Sequence, residues 1–358
     1  MNIVKTFHGN FWRNKKVLIT GHNGFKGSWL TLFLMKLGAE IYGISLKNDD
    51  PNSLFNKLKI KKNIYEKLID IRNINLTKDA IKDFSPDIIF HLAAQPLVRE
   101  SYLKPVETWS TNVMGTISIL EAIREYKKKI IFIGITTDKV YDNKEWIYGY
   151  RETDRLGGID PYSSSKAAAE LAINAWRNSF ASNSNYLLSS ARAGNVIGGG
   201  DYANDRIIPD IFRSIQENKT LNIRNPESTR PWQHVLDPLW GYILLAEKMD
   251  EHSSFSDCYN FGPELNSNRS VQNVVDAFSK FIKIKYKNLS PTESYKESKL
   301  LHLTSEKAKN ALNWNPVWDF EKTIYKTASW YIKLHKNISD ELSLCNEDIA
   351  EFMKDQDI

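Results

Sequence analysis

Tyr162 and Lys166 stand four residues apart in the stretch YSSSK. On a helix this spacing puts both side chains on one face. A lysine held beside a phenol favours the phenolate and lowers its pKa from a reference of about 10. A tyrosine tuned in this way takes a proton from a hydroxyl group as hydride leaves the same carbon. Thr137, Asp138 and Lys139 form a second set, at the end of the apolar run Ile130 to Thr137. They put an acid and a base side by side where a buried strand emerges. Each set also has an ordinary reading. Tyr-x-x-x-Lys recurs by chance, and an Asp–Lys pair at a strand end can simply face water.

A glycine-rich turn shifts the balance. In TGHNGFKG, Thr20 to Gly27, the glycines Gly21, Gly24 and Gly27 follow a strand-like run and open a helical one. Glycines there permit a tight turn and close approach of a pyrophosphate, and the helix N-terminus offers unpaired N–H groups to the phosphates. Candidate dinucleotide contacts in this turn are Gly21, Asn23, Gly24, Phe25, Lys26 and Gly27. Asp70 and Ile71 follow the third strand-like run and are placed to contact an adenine. Leu92, Ala93 and Ala94, at the end of DIIFHLAA, and Thr111 complete the set. The second strand-like run ends in Ser45-Leu46-Lys47, with neither the acid that bonds an NAD ribose nor the arginine that suits NADP. That position leaves the choice open, and the lack of an arginine is what favours NAD.

These residues need a frame. Short apolar runs alternate with helical patterns from Lys15 to Ala193, which implies βαβ units and a parallel sheet covered on both faces. The expected fold is α/β, a Rossmann-type doubly wound parallel sheet with a smaller C-terminal α/β substrate-binding region. The expected division is 1–195 for the dinucleotide-binding domain, with the chain returning to it around 232–262, and 196–335 mainly for substrate. Residues 336–358 form an acidic tail that reads equally as a surface helix or as disorder. The helical stretch Ser163 to Phe180 is rich in alanine and apolar nearly all round. Such a helix is covered on every side, by its own chain or by a second copy, and a homodimer is expected.

Composition excludes several classes. The 358 residues carry 48 basic and 43 acidic side chains, a net charge of +5, and the cations are scattered rather than striped. Nucleic-acid binding calls for a clustered basic face, and Lys127-Lys128-Lys129 reads as a solvated helix end. The two cysteines, Cys258 and Cys345, lack metal-ligand spacing and fit a reducing compartment. No His/Cys/Asp cluster has metal-site spacing, so no metal is expected. The N-terminal stretch MNIVKTFHGNFWRNKK has no apolar run of signal-peptide length, no stretch approaches the length of a membrane span, and a cytoplasmic location is expected.

Taken together, these stretches resemble the extended short-chain dehydrogenase/reductases and, within them, the CDP-glucose 4,6-dehydratases. The resemblance is carried by FWRNKKVLITGHNGFKGSWL, HLAAQPLVRESY, TTDKVYDNKEW, DPYSSSK, ARAGNVIGGGDYANDRIIPD and RPWQHVLDPL, with NWNP extending it towards Leu334. It implies a redox-neutral elimination on a nucleotide-activated hexose using NAD. Tyr162 deprotonates the 4-hydroxyl, hydride leaves C4, a base removes the C5 proton, an acid protonates the departing 6-hydroxyl, and hydride returns to C6. Asp138 matches the acid. Lys139 stands where the dTDP-glucose dehydratases carry Glu, and as a base it must be neutral. Asn195, Arg206 and Arg230 match positions that hold the sugar nucleotide, and an arginine fork suits a diphosphate.

Two rivals remain at this level. A nucleotide-sugar 4-epimerase needs Tyr162 and Lys166 but not the Asp138–Lys139 pair. A catalytically silent NAD-binding sensor is expected to lose the Tyr or the Lys, and both are present. The nucleotide base cannot be read from the residues themselves, which leaves a 4,6-dehydratase of another nucleotide sugar open.

Overall fold

The computed structural model describes residues 10–126, 128–181, 185–289 and 300–356. Lys127 of the lysine run, the first nine residues and the last two residues of the tail lie outside the described residues. Six strands, β1 (Lys16–Thr20), β2 (Glu40–Ser45), β3 (Tyr65–Leu68), β4 (Ile88–His91), β5 (Ile130–Ile135) and β6 (Tyr186–Ala193), are joined by a seventh, Cys258–Phe261. The sheet order is Cys258–Phe261, β6, β5, β4, β1, β2, β3, and every neighbouring pair is parallel. Every residue of β5 is buried. Ile131, Ile133 and Ile135 enter one core and Ile130 and Phe132 the other, as the period of two requires for a strand covered on both faces. The order reverses between β1 and β4, and the crevice beyond their C-terminal ends is where such sheets bind ligands.

The helix after β1 spans Phe25–Lys36, with Gly24 of the glycine turn as its N-cap. The segment from Pro105 to Arg124, between β4 and β5, is not one regular α-helix. Pro105–Trp109 and Gly115–Arg124 are α-helical, and a π-helical turn at Ser110–Met114 separates them, a distortion common at functional sites. The helix carrying Tyr162 runs Pro161–Trp176. It buries Ala167, Ala169 and Ile173 in its own chain and exposes Leu171.

Beyond β6 the chain forms short strand pairs and the helices Ile207–Gln216, Leu236–Glu251, Val271–Ser279, Glu306–Leu312 and Phe320–His335. The acidic tail is neither disordered nor merely superficial. Its helix, Glu341–Asp355, buries Leu344, Cys345, Ile349 and Phe352 in the main core. Phe352 meets Phe33, on the helix after the glycine turn, edge-on at 6.3 Å. The acids sit on the opposite side or pair with cations, as Asp348 does with Lys326 at 2.6 Å. Both cysteines are free.

Candidate active site

A cleft of about 1130 Å³ opens over the C-terminal ends of the strands. Its first wall is the glycine turn. Gly21 has φ +72°, and a Cβ there would stand 2.8 Å from the Ala93 nitrogen. A Cβ on Gly27 would stand 2.1 Å from the Gly21 carbonyl oxygen. Side chains at these positions would break the turn and fill the cradle. Gly24 caps the helix without a side chain, so the first-turn N–H groups remain available to an anion. Asn23 pins the turn to β2 by donating to the Leu46 carbonyl at 2.8 Å. These features fit a dinucleotide pyrophosphate. Leu92, Ala93, Ala94, Ile71 and Thr111, the last within the π-helical turn, line the same side. The Asp70 carboxylate also lines it, but Arg72 grips it through two nitrogens. Hydrogen bonds from Arg72 hold that carboxyl below the usual carboxylate range.

The opposite wall is built by Asp160, which caps its helix by accepting from the Ser163 N–H at 2.9 Å, with Pro161 in the first turn. This sets Tyr162 at the helix start and Lys166 one turn on, both buried. The Lys166 amine donates to the Ile135 carbonyl at 2.9 Å, and burial lowers it to about 8 while Glu170 opposes the fall. Burial raises the Tyr162 phenol to about 12, against a hydrogen bond with Thr137 and the charge of Arg206, which draw it down. The lowering expected from Lys166 is therefore not what these protein groups produce: the amine is committed to a backbone carbonyl, and desolvation dominates. One turn below Lys166, the carboxylate of Glu170 takes Arg192 at 2.8 Å, the Ser190 hydroxyl at 2.7 Å and the Thr136 hydroxyl. Burial pushes Glu170 up, but Arg192 and these hydrogen bonds outweigh it.

Thr137, Asp138 and Lys139 leave β5 directly into the cleft. Asp138 is 1% exposed. Its Oδ1 accepts from the Thr137 hydroxyl at 3.0 Å, and its Oδ2 is buried with no hydrogen-bond partner among the described residues. Lys139 is 28% exposed, and its Nζ lies 4.0 Å from Asp138 Oδ1. Lys26 reaches the same floor from the glycine turn and donates to the Tyr242 hydroxyl at 3.3 Å. Burial, aided by Arg206 and Lys166, lowers its amine to about 7.

Asn195, Arg206 and Arg230 lie on the far side of the cleft, so the candidate catalytic, dinucleotide and sugar-nucleotide residues named from the sequence all line one cavity. Arg206 is held by Asp201 at 2.8 Å, and Arg230 donates to the Thr229 carbonyl at 2.7 Å. Sequence reasoning missed Arg72 and the triad of Arg99, Asp205 and Arg224, in which Asp205 bridges the two arginines at 3.2 and 2.6 Å. It also missed Asn112, a buried amide behind the wall that binds the Gln95 backbone and the Ser165 hydroxyl. Arg72, two residues from Asp70, was legible as a partner; the others meet only through the fold. Among the described residues no group of three or more His, Cys, Asp or Glu side chains is placed to hold a metal ion. No helix among them is long and apolar enough to cross a membrane.

A Tyr–Lys helix set across a parallel sheet from a glycine-lined crevice defines an extended short-chain dehydrogenase/reductase. Within that class the chain belongs to the GDP-mannose 4,6-dehydratase family, whose model matches residues 18–327. It is 44% identical to the CDP-glucose 4,6-dehydratase of Salmonella typhimurium over 96% of this chain and 98% of that one. Among solved structures it is similar in fold to a dTDP-glucose 4,6-dehydratase from Bacillus anthracis in complex with NAD. That likeness has a TM-score of 0.77 at 23% identity and covers 90% of this chain and 98% of the other. It is also similar in fold to a UDP-glucose 4-epimerase from Thermotoga maritima, with a TM-score of 0.75 at 21% identity over 89% and 99%.

Proposed function

We propose that this protein is an NAD-dependent hydro-lyase that converts CDP-glucose to CDP-4-dehydro-6-deoxyglucose and water. The observation that carries the reading is the position of Asp138 and Lys139 beside Tyr162 in one cleft. An epimerase has no use for that second acid–base pair, and the near full-length similarity to a CDP-glucose 4,6-dehydratase points the same way. Gly21, Asn23, Gly24, Phe25, Lys26, Gly27, Asp70, Ile71, Leu92–Ala94 and Thr111 would hold the dinucleotide. When bound, NAD supplies a reversible hydride acceptor that holds the C4 hydride until its return to C6. Tyr162 takes the proton of the 4-hydroxyl, with Lys166 orienting the site around it. The 4-ketone acidifies C5, Lys139 takes the C5 proton, and Asp138 gives its proton to the 6-oxygen, which leaves as water. Lys139 then returns its proton to C5. Asn195, Arg206 and Arg230 hold the nucleotide diphosphate.

The test is incubation of the protein and NAD with CDP-, dTDP-, GDP- and UDP-hexoses. The expected result is a 4-keto-6-deoxy sugar from CDP-glucose ahead of the others. A 4-epimer that retains its 6-oxygen would replace the dehydratase reading by the epimerase one, and preference for another base would reassign the nucleotide. The reaction returns its hydride, so no net NADH accumulates.

The assembly proposed is a homodimer. Leu171 is 58% exposed, and the neighbouring helical stretch shows Leu103 at 71% and Val106 at 81%. Apolar side chains on adjoining helices are what a second copy would cover. Sedimentation equilibrium is expected to give twice the chain mass, and a monomer at micromolar concentration would overturn this.

A further inference from the structure

The buried strand β4 runs through Ile88, Ile89 and Phe90 and ends on His91, an ionisable side chain after three apolar ones. The imidazole is 4% exposed and stacks on the Phe132 ring at 5.9 Å. None of the steps proposed above uses it. In the parallel sheet His91 stands beside Thr20, the last residue of β1, which leads into the glycine turn. Thr20 Oγ1 meets His91 Nδ1 at 2.7 Å. Across the ring, His91 Nε2 meets the Thr116 hydroxyl at 3.0 Å. Both threonines are buried as well.

The hydrogen count gives these contacts a direction. A hydroxyl has one proton to donate. Thr116 gives its own to the Asn112 carbonyl at 2.7 Å, so towards His91 it accepts, and Nε2 carries the hydrogen. In a neutral ring Nδ1 is then the acceptor, and Thr20 donates to it. The Thr20 oxygen in turn accepts the Ala93 N–H at 3.1 Å. A second ring proton would take the acceptor away from the Thr20 hydroxyl. Burial and the charge of Lys166 also oppose that proton, and lower the imidazole to about 3.

Both ends of this chain are walls of the cleft. Ala93 lines it and lies so close to the glycine turn that a Cβ on Gly21 would stand 2.8 Å from its nitrogen. The Asn112 carbonyl belongs to the π-helical turn that carries Thr111, and the Asn112 amide clamps the Gln95 backbone at 2.8 and 3.1 Å. We infer that His91 is a positioning residue of the dinucleotide site: as the neutral Nε2–H tautomer it holds the Leu92–Ala94 floor and the Thr111 wall in register with the glycine turn. His91 does not itself line the cleft, and it acts through Thr20 and Thr116. This rests on the dinucleotide reading given above.

The test joins a spectrum to binding titrations. In protein labelled with ¹⁵N in its histidine rings, the resonances lost in His91→Phe are expected to show a proton on Nε2 and none on Nδ1 at neutral pH. Calorimetry is expected to give His91→Phe an NAD dissociation constant raised about 10-fold, as for a buried hydrogen bond left unmade, with the affinity for CDP unchanged. Thr116→Val should share the loss, and Thr116→Ser, which keeps the hydroxyl, should bind NAD as the native protein does. A His91→Phe protein that melts earlier but binds NAD with native affinity would make the residue merely structural and overturn the inference. A charged ring, or one protonated at Nδ1, overturns it too. If the phenylalanine variant does not fold, the Thr116 pair decides, because native NAD affinity in Thr116→Val is equally fatal. Native protein that takes up no NAD strikes the dinucleotide reading instead, and the ring tautomer still judges His91.

Discussion

The Lys166 amine donates to the carbonyl of Ile135, the last residue of β5, at 2.9 Å. This bond ties the helix that carries Tyr162 to the strand that releases Thr137, Asp138 and Lys139. The phenol and the second acid–base pair are thereby held in one frame, and a buried hydrogen bond to a cation is among the stronger ones.

Lys139→Met is expected to spare binding and the first hydride transfer but to stall elimination. Met keeps most of the stem's volume, so little packing is lost. The variant should show bound NADH without 6-deoxy product, and sugar recovered from deuterated water should carry no deuterium at C5. Normal C5 exchange with full turnover would remove Lys139 from the mechanism.

Tyr162→Phe is expected to leave the fold intact and to reduce turnover by about 10²–10⁴-fold, the range for a lost general base. Circular dichroism checks the fold, and stopped-flow absorbance of reduced cofactor checks the first oxidation. Near-native turnover in a folded variant would reject the assignment.

Arg192→Met is expected to destabilise the protein by about 3–5 kcal/mol, because it strands the buried Glu170 carboxylate. Urea denaturation measures the loss. Adding Glu170→Leu should recover part of it, and a double variant no better than the single one would mean the pair is not the source.

Phe352→Ala should cost about 3–5 kcal/mol, as expected for a fully buried aromatic. Its ring packs against Phe33 and Trp318. A cost below about 1 kcal/mol, the level of a surface change, would show that the C-terminal helix is not part of the core.

Asp237 supplies a pH signature. It is fully buried and accepts from the Val317 N–H at 2.6 Å, and burial raises its carboxyl to about 7. A raised folded pKa means that its stabilising contribution is complete below the unfolded value of about 4. That contribution is lost as the pH climbs through about 7. The stability of the native protein relative to Asp237→Asn should therefore fall between those limits. A difference that stays flat with pH, followed by thermal unfolding in several buffers, would count against a titrating Asp237.

The sequence by itself determined the alternation of elements, the glycine turn and the helix that presents Tyr162 and Lys166. Each of these depends on local spacing: apolar period, backbone freedom at glycine, and the shared helix face of residues four apart. The seven-strand order and the partners of each candidate were decided by tertiary packing. Arg99, Asp205 and Arg224 lie up to 125 positions apart, with Arg99 and Asp205 separated by 106, and no local pattern announces their meeting. The fate of the acidic tail was decided in the same way. Its composition left a surface helix and disorder equally open, yet the apolar residues at 344, 345, 349 and 352 share one helical stripe that the core covers. The Tyr162 pKa was a matter of three dimensions too. Spacing puts Lys166 near the phenol, but it does not reveal that the Ile135 carbonyl claims the amine or how deeply both groups are buried.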